Sequence, residues 1–133
     1  MGLTISVEDT RPGTRTVTLN GRLDNASAAE LDRHLDVLWQ SPFDVLVFDL
    51  SQLSYISSMG IRSLFRAQKL MHQRQGESLF VDPQPAVRKV FDIVMAVDLA
   101  SVFASTQELD AYLDSMQRKV LAQAEDGRES GPT

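Results

Sequence analysis

The sequence contains no cysteine, which excludes disulfide bonds and thiolate metal sites and favours a reducing compartment. It also lacks any apolar run near the ~18 residues that a membrane-spanning helix needs. Basic residues are in deficit, with 13 Lys and Arg against 18 Asp and Glu and a net charge of −5. Because general nucleic-acid binding depends on neutralising phosphates, this acidic balance argues against a nucleic-acid partner, and the lack of a long apolar run argues against membrane insertion.

Familiar catalytic motifs are missing as well. The two histidines, His34 and His72, fall on predicted helices without the ligand spacing of a metal site. The Ser-Ser-Met-Gly sequence at 57–60 differs from the Gly-x-Ser-x-Gly nucleophile elbow, and no Gly-rich phosphate loop occurs. We therefore expect a protein that is not an enzyme and needs no metal or cofactor. A small hydrolase using one of the two serines is the enzymatic alternative.

What is present is the composition of one globular domain. The chain has 133 residues, 43% of them hydrophobic and 23% charged, which is ordinary for a soluble protein with a single core. Its start, Met1 to Asp9, has no basic segment and does not resemble a signal peptide. We expect a single cytoplasmic domain over residues 1–125 and a disordered polar tail over 126–133.

Hydrophobic periodicity predicts the order of the elements. Alternation predicts two strands joined by a turn, and helices and strands then alternate to the end of the chain. Two helix starts have the spacing of a capping box, at Ser27 with Glu30 and at Ser105 with Glu108. The last short strand is predicted from Val97 to Phe103. This order predicts an α/β fold with a small mixed sheet of about five strands and about four helices, parallel after the first pair.

The central stretch of the chain presents two hydroxyl groups. Residues 45–48 are apolar and predict a strand buried on both faces. Leu50, Leu53 and Ile56 then recur every third residue, which we interpret as a connector tied to the core. Ser57 and Ser58 follow, just before a long helical pattern. Because ligands and partners usually meet the carboxyl ends of parallel strands, these serines are candidates for a functional site.

Residues 48–61, Phe-Asp-Leu-Ser-Gln-Leu-Ser-Tyr-Ile-Ser-Ser-Met-Gly-Ile, resemble the signature of STAS domains, specifically the bacterial anti-sigma factor antagonists. The similarity covers nearly the whole chain and includes Gly-Arg-Leu-Asp at 21–24. The resemblance implies the STAS fold and a role in partner switching. In that role the unmodified antagonist binds an anti-sigma factor that is also a serine-protein kinase. Phosphorylation of the antagonist breaks the complex, and a serine phosphatase restores it.

The resemblance also implies which residues act. It places the phosphorylated serine at Ser58, with Ser57 as the second choice, and the family glycine at Gly60. The family usually has Asp immediately before the acceptor and Ser or Thr immediately after it, where this chain has Ser57 and Met59. A monomer or weak homodimer is expected.

Further partner contacts are predicted around these serines. Asp24 and Asn25 precede the first helix and belong near the same sheet edge, although a turn-and-cap role is equally consistent. Met59 offers adaptable apolar contact. Arg62 and Arg66 belong to a basic helix face that could steer an acidic partner, or that simply faces solvent. The predicted partner-binding residues are Asp24, Asn25, Ser57, Ser58, Met59, Gly60, Arg62 and Arg66.

Two alternatives to the phosphorylated switch remain open from the sequence. The first is that Ser57 or Ser58 only caps the helix, since serine is strongly preferred at that position. The second is a structural accessory subunit, such as the STAS component of a lipid-transport ATPase complex, which needs no kinase site. The residues at 57 and 59 favour this second alternative.

Overall fold

The computed structural model describes residues 2–96 and 105–130 of the chain. Its elements in chain order are β1 (Leu3–Arg11), β2 (Thr14–Leu23), α1 (Asn25–Leu38), β3 (Val45–Ile56), α2 (Ser58–Gln73), β4 (Glu77–Val81), α3 (Pro85–Ala96) and α4 (Thr106–Ser130). The described strands form one sheet in the order β1-β2-β3-β4. β1 is antiparallel to β2, and β2, β3 and β4 are parallel. The predicted α/β fold, parallel after an initial hairpin, is confirmed.

The C-terminal part of the chain differs from the prediction in one respect. The helix α4 continues to Ser130, whereas the sequence predicts a disordered tail from residue 126. Adding residues to an established helix costs less than starting a new one, and residues 126–130 continue α4 directly. The strand predicted from Val97 to Phe103 lies outside the described residues, as do residues 131–133. Over the described ranges, no helix is long and apolar enough to cross a membrane.

The strand β3 is longer than predicted and includes the supposed connector. It runs continuously to Ile56, so the connector interpretation is wrong. Its pairing with β2 shifts register twice, between Thr18 and Asn20 and between Gly21 and Arg22 of β2. At each shift β3 contains one more residue than β2, which is the arrangement of a β-bulge. The two extra residues change the inward spacing from two to three, and Leu50, Leu53 and Ile56 therefore all remain fully buried.

The core lies where the inward side of this sheet meets the helices. Phe48 of β3 is fully buried, and its ring stacks on Phe80 of β4 with centroids 5.5 Å apart. Phe91 of α3 lies 5.5 Å from the same Phe80 ring, so α3 closes the core over β4. The outward residues of these strands, including Val47 and Leu79, line an open groove of about 450 Å³ instead. The two sides of β3 therefore differ sharply in burial.

This difference predicts how two neighbouring substitutions affect stability. Phe48→Ala removes a stacked ring from a closed core and should cost ~3–5 kcal/mol of unfolding free energy. Val47→Ala, on the open side of the same strand, should cost about 1 kcal/mol or less. Urea unfolding followed by circular dichroism measures both. An equal loss from the two variants would contradict this assignment of faces.

Candidate partner-binding site

The candidate site forms where β2 and β3 end side by side. Leu23, the last residue of β2, pairs with Ile56, the last residue of β3. The backbone N–H of Ser57 donates to the Leu23 carbonyl at 2.9 Å and extends this pairing by one step. Asp24 and Asn25 follow one strand, and the two serines follow the other. The prediction that these residues share one sheet edge is confirmed.

Asp24 caps the first helix. Its carboxylate accepts a hydrogen bond from the Ser27 backbone N–H at 3.0 Å, and the Ser27 hydroxyl accepts one from the Asp24 N–H at 2.8 Å. This reciprocal pair is a capping box with Asp24 as the N-cap. The predicted box, which begins at Ser27, is wrong by one helical turn because Ser27 is the third residue of the helix. The cap role considered for Asp24 is confirmed.

The same hydrogen bonds set the charge state of Asp24. The Ser27 backbone N–H is the largest influence and lowers the pKa of Asp24; the Ser27 hydroxyl and the nearby Arg22 lower it further, against a smaller rise from burial. An ionised carboxylate therefore sits at the amino end of α1, where the helix dipole also favours negative charge.

The two adjacent serines have different environments. Ser57 is the N-cap of α2, and its hydroxyl accepts a hydrogen bond from the Gly60 N–H at 3.1 Å. Ser58 is the first residue of the helix and is 6% exposed. Within the described chain its Oγ atom is buried and has no hydrogen-bond partner. Its backbone N–H donates to Asp110 Oδ1 of α4 at 3.0 Å.

Gly60 allows the helix to approach the strand ends closely. A Cβ at this position would lie 2.7 Å from Leu23 Cγ and 3.0 Å from Ile56 Cγ1. Both neighbours are fully buried, so neither can move without disturbing the core. A glycine is therefore needed here for close packing of α2 against the strand ends.

Two polar residues of α4 complete the site and were missed from the sequence. Gln117 is 1% exposed. Its side-chain amide accepts from the Ile56 N–H at 3.0 Å and donates to the Ile56 carbonyl at 2.8 Å. It therefore satisfies both backbone groups of Ile56, as a neighbouring strand would. Its position four residues after the fully buried Leu113, on one helix face, is a signal that could have identified it. Asp110 has no such signal, because nothing local links it to a serine 52 residues earlier.

An acidic cleft opens beside Ser57. It has a volume of about 390 Å³ and is lined by Arg22, Asp24, Asn25, Ala26, Tyr55, Ser57 and Asp110. The Arg22 guanidinium lies over the Tyr55 ring, 3.9 Å from its centroid. Burial raises the pKa of Tyr55, and carboxylates including Asp114 and Asp110 raise it further, with Arg22 opposing them. The charge around the Tyr55 hydroxyl is therefore predominantly negative.

The remaining predicted residues divide between this cleft and the α2 surface. Met59 is 38% exposed beside the serines, and Arg62 is exposed about one turn further along α2. Arg66 lies about 12 Å along the helix from Ser58, where its guanidinium is 3.9 Å from the Asp32 carboxylate of α1. The structure thus brings Asp24, Asn25 and Ser57 together at the cleft, and it leaves Arg66 apart from them.

The unlike environments of the serines predict opposite effects on stability. Ser57→Ala leaves the Gly60 N–H without its cap and should cost ~1 kcal/mol of unfolding free energy. Ser58→Ala removes a buried hydroxyl that has no hydrogen-bond partner among the described residues, so stability should stay unchanged or rise slightly. Denaturant unfolding of the two variants measures the difference. A larger loss from Ser58→Ala than from Ser57→Ala would show that the cap is misassigned.

The lowered pKa of Asp24 predicts a pH dependence. Its contribution to stability is complete above the unfolded-state pKa of ~3.9 and is lost as the pH falls through the lower folded-state value. Asp24→Asn keeps a good N-cap but does not titrate. The stability of the wild type relative to Asp24→Asn should therefore decrease below about pH 4. A difference that stays constant across acid unfolding curves would contradict the hydrogen-bonded carboxylate.

Comparison with known proteins places this geometry in a family. Residues 7–109 match the STAS domain model. Over 75 residues the chain is 36% identical to the putative anti-sigma factor antagonist BtrV of Bordetella bronchiseptica; the match covers 56% of this chain and 65% of that protein, less than two thirds of its length.

Solved structures show the same fold. The anti-sigma factor antagonist SpoIIAA in its unphosphorylated form matches with a TM-score of 0.63 and 21% identity, over 68% of this chain and 80% of that chain. An anti-sigma factor antagonist from Mycobacterium paratuberculosis matches with a TM-score of 0.60 and 25% identity, over 89% of this chain and 93% of that chain. Because the STAS model matches well over half of the sequence, from β1 into α4, the chain belongs to the STAS domain family.

Proposed function

We propose that this protein is an anti-sigma factor antagonist that acts by partner switching and has no catalytic activity of its own. The unmodified chain binds an anti-sigma factor with serine kinase activity, phosphorylation of Ser58 releases that partner, and a serine phosphatase reverses the modification. Membership of the STAS family supports this proposal. So do the names of two relatives, the putative antagonist BtrV and the Mycobacterium paratuberculosis antagonist, at 36% and 25% identity.

The observation that carries the proposal is the unequal use of the two serine hydroxyls. Ser57 Oγ already holds the Gly60 N–H and stabilises the start of α2. Ser58 Oγ, one residue later, has no partner among the described residues. A buried polar group without a partner is costly to keep, and a role in modification explains why a hydroxyl occupies that position. Ser58 is therefore favoured over Ser57 as the acceptor.

The surroundings of Ser58 suit a charge-based switch. The amino terminus of a helix tolerates a phosphate, because its free N–H groups and dipole favour an anion. A phosphate adds about −1.5 to −2 charges beside a cleft that already contains Asp24 and Asp110. A partner docked on the unmodified surface would then face an uncompensated charge. A penalty of ~3 kcal/mol lowers affinity about a hundredfold, so the added charge alone is enough to release the partner.

The site contains a carboxylate even though the usual Asp before the acceptor is missing from the sequence. Ser57 occupies that position in the sequence, but Asp110 of α4 brings a carboxylate to within 3.0 Å of the Ser58 backbone nitrogen. The acid therefore comes from another part of the chain. This contact supports Ser58 as the acceptor despite the departure at position 57.

The modification itself can be tested with the cognate anti-sigma factor kinase and ATP. We expect mass spectrometry to locate one phosphate on Ser58, and Ser58→Ala to abolish it. Ser57→Ala is the matched control, because it removes the neighbouring hydroxyl but should still be phosphorylated at Ser58. Phosphate on Ser57 alone, or on neither serine, would contradict the proposed acceptor.

Binding gives the second half of this test. Ser58→Asp should weaken binding of the anti-sigma factor about a hundredfold, because the new carboxylate adds a negative charge to the docking surface that the partner does not compensate. Ser58→Ala should bind like the wild type. Isothermal titration calorimetry measures both. Equal affinities for the Asp and Ala variants would contradict release of the partner by negative charge at Ser58.

One observation favours a second candidate function, a structural accessory subunit of a larger complex such as a lipid-transport ATPase. The Ser58 hydroxyl is buried, and Met59 follows it, so the unmodified surface is less accessible to a kinase than an exposed loop serine. Stable co-purification with an ATPase at high salt, independent of ATP, would support this candidate. A complex that dissociates when ATP is added would exclude it.

A further inference from the structure

The Ser58 hydroxyl cannot meet a kinase in the conformation described here. Less than 1 Å² of its Oγ surface is accessible, whereas a reacting phosphorus must come within ~3–3.5 Å of the attacking oxygen. Some segment of the chain must therefore move before Ser58 can react. This requirement concerns access to the residue, and it is separate from the identity of the kinase.

The strand and helix that present Ser58 are poor candidates for that movement. Ile56 and Leu23 are fully buried, and Gly60 packs directly against both of them. Displacing either the end of β3 or the start of α2 would open the main core. Among the hydrogen bonds of the described residues, the one that reaches Ser58 from a distant part of the chain comes from Asp110 of α4.

Both hydrogen bonds and apolar packing connect α4 to this junction. Asp110 accepts the Ser58 N–H at 3.0 Å. Two turns later, the Gln117 amide pairs with both backbone groups of Ile56 at 3.0 and 2.8 Å. Between them, Leu113 is the fully buried apolar anchor. Because α4 is not part of the sheet, moving this segment withdraws Leu113 from the core but leaves the strand pairing intact.

We propose that the segment of α4 from Asp110 to Gln117 is a removable cover over Ser58. When the cover is closed, Asp110 bonds to the backbone N–H of Ser58, and Gln117 bonds to the backbone N–H and carbonyl of Ile56. The Ser58 hydroxyl is then inaccessible to a kinase. When it opens, Ser58 is exposed and its N–H is released. The proposal rests on the proposed function only for its consequence, namely that opening of α4 controls phosphorylation.

Phosphorylation should also keep the cover open. In that reaction Ser58 Oγ forms a bond to the γ-phosphorus of the kinase-bound ATP, the bond to the bridging oxygen of ADP breaks, and a base of the kinase takes the hydroxyl proton. The phosphate then competes with the Asp110 carboxylate for the N–H groups at the start of α2 and repels it. Closed α4 and phosphorylated Ser58 are therefore mutually exclusive states.

The absence of cysteine from the chain allows a direct test without any kinase. Ser58→Cys carries the sole thiol, and its reaction with a chromogenic disulfide reagent reports the exposure of that position. Met59→Cys, at the exposed neighbouring position, is the reference for an open site. We expect Ser58→Cys to react at least about a hundredfold more slowly than Met59→Cys, equivalent to ~2.7 kcal/mol of opening.

Adding Asp110→Ala to Ser58→Cys should accelerate labelling about tenfold, because the cover loses a charge-assisted bond. Asp114→Ala is the matched control: it removes an acid of the same helix that pairs with Arg118 and does not bond to Ser58. Acceleration by Asp110→Ala alone supports the cover. Labelling of Ser58→Cys as fast as Met59→Cys, or equal effects of the two alanines, overturns it.

A second measurement retains Ser58 and guards against misfolding of the cysteine variant. The Ile56 N–H donates to Gln117 and loses that acceptor when α4 opens, so hydrogen exchange of this amide should be about tenfold faster in Asp110→Ala than in the wild type; an unchanged rate overturns the cover. Failure of the cover can be distinguished from failure of the proposed function. A chain that shows the cover but is never phosphorylated refutes the switch, and a chain phosphorylated on a freely reactive Ser58 refutes the cover.

Discussion

The structure depends on satisfying the backbone where β3 becomes α2. The chain changes from strand to helix within one residue, and buried N–H and C=O groups at such a junction need partners. Gln117 supplies both partners for Ile56, the carbonyl of Leu23 accepts from Ser57, and Asp110 accepts from Ser58. Three separate segments of the chain, β2, α4 and the junction itself, therefore meet at the same few peptide groups.

This arrangement explains why the two serines have different roles. The N-cap position needs a side-chain acceptor for the Gly60 N–H, and Ser57 provides it. The first helical position has no such requirement, and Ser58 contributes only its backbone N–H to the junction. Its hydroxyl is therefore available for another purpose. In the proposed switch, Ser57 keeps the helix capped whether or not Ser58 is phosphorylated.

Local patterns in the sequence predict most of the fold. The apolar faces of α1 and α2 and the parallel sheet follow from periodicity alone, and Leu31, Leu35 and Leu64 are buried as that periodicity requires. Period-two reasoning fails at Leu50, Leu53 and Ile56, because bulges depend on register with a second strand. The capping box of α1 was placed one turn late because Ser27 resembles a cap but lies inside the helix.

The candidate site was predictable only in part, for the same reason. The edge shared by residues 24–25 and 57–58 follows from strand order, and the structure confirms it through the Leu23 and Ile56 pairing. The contributions of Asp110 and Gln117 are long-range. Neither residue has a sequence neighbour that identifies its partner, although a glutamine on an apolar helix stripe is a usable signal. The same two residues bond α4 to the backbone of Ile56 and Ser58.

Amide hydrogen exchange in the unmodified folded chain tests this central role of α4 most directly. The N–H groups of Ile56 and Ser58 both donate to α4 side chains, so both lose their acceptors when α4 moves. We predict that these two amides exchange together, through an opening of lower free energy than that of Phe48 in the middle of β3. If Ile56 and Ser58 exchange only with global unfolding, at the same free energy as Phe48, then Ser58 is sealed in the folded protein and the switch is contradicted.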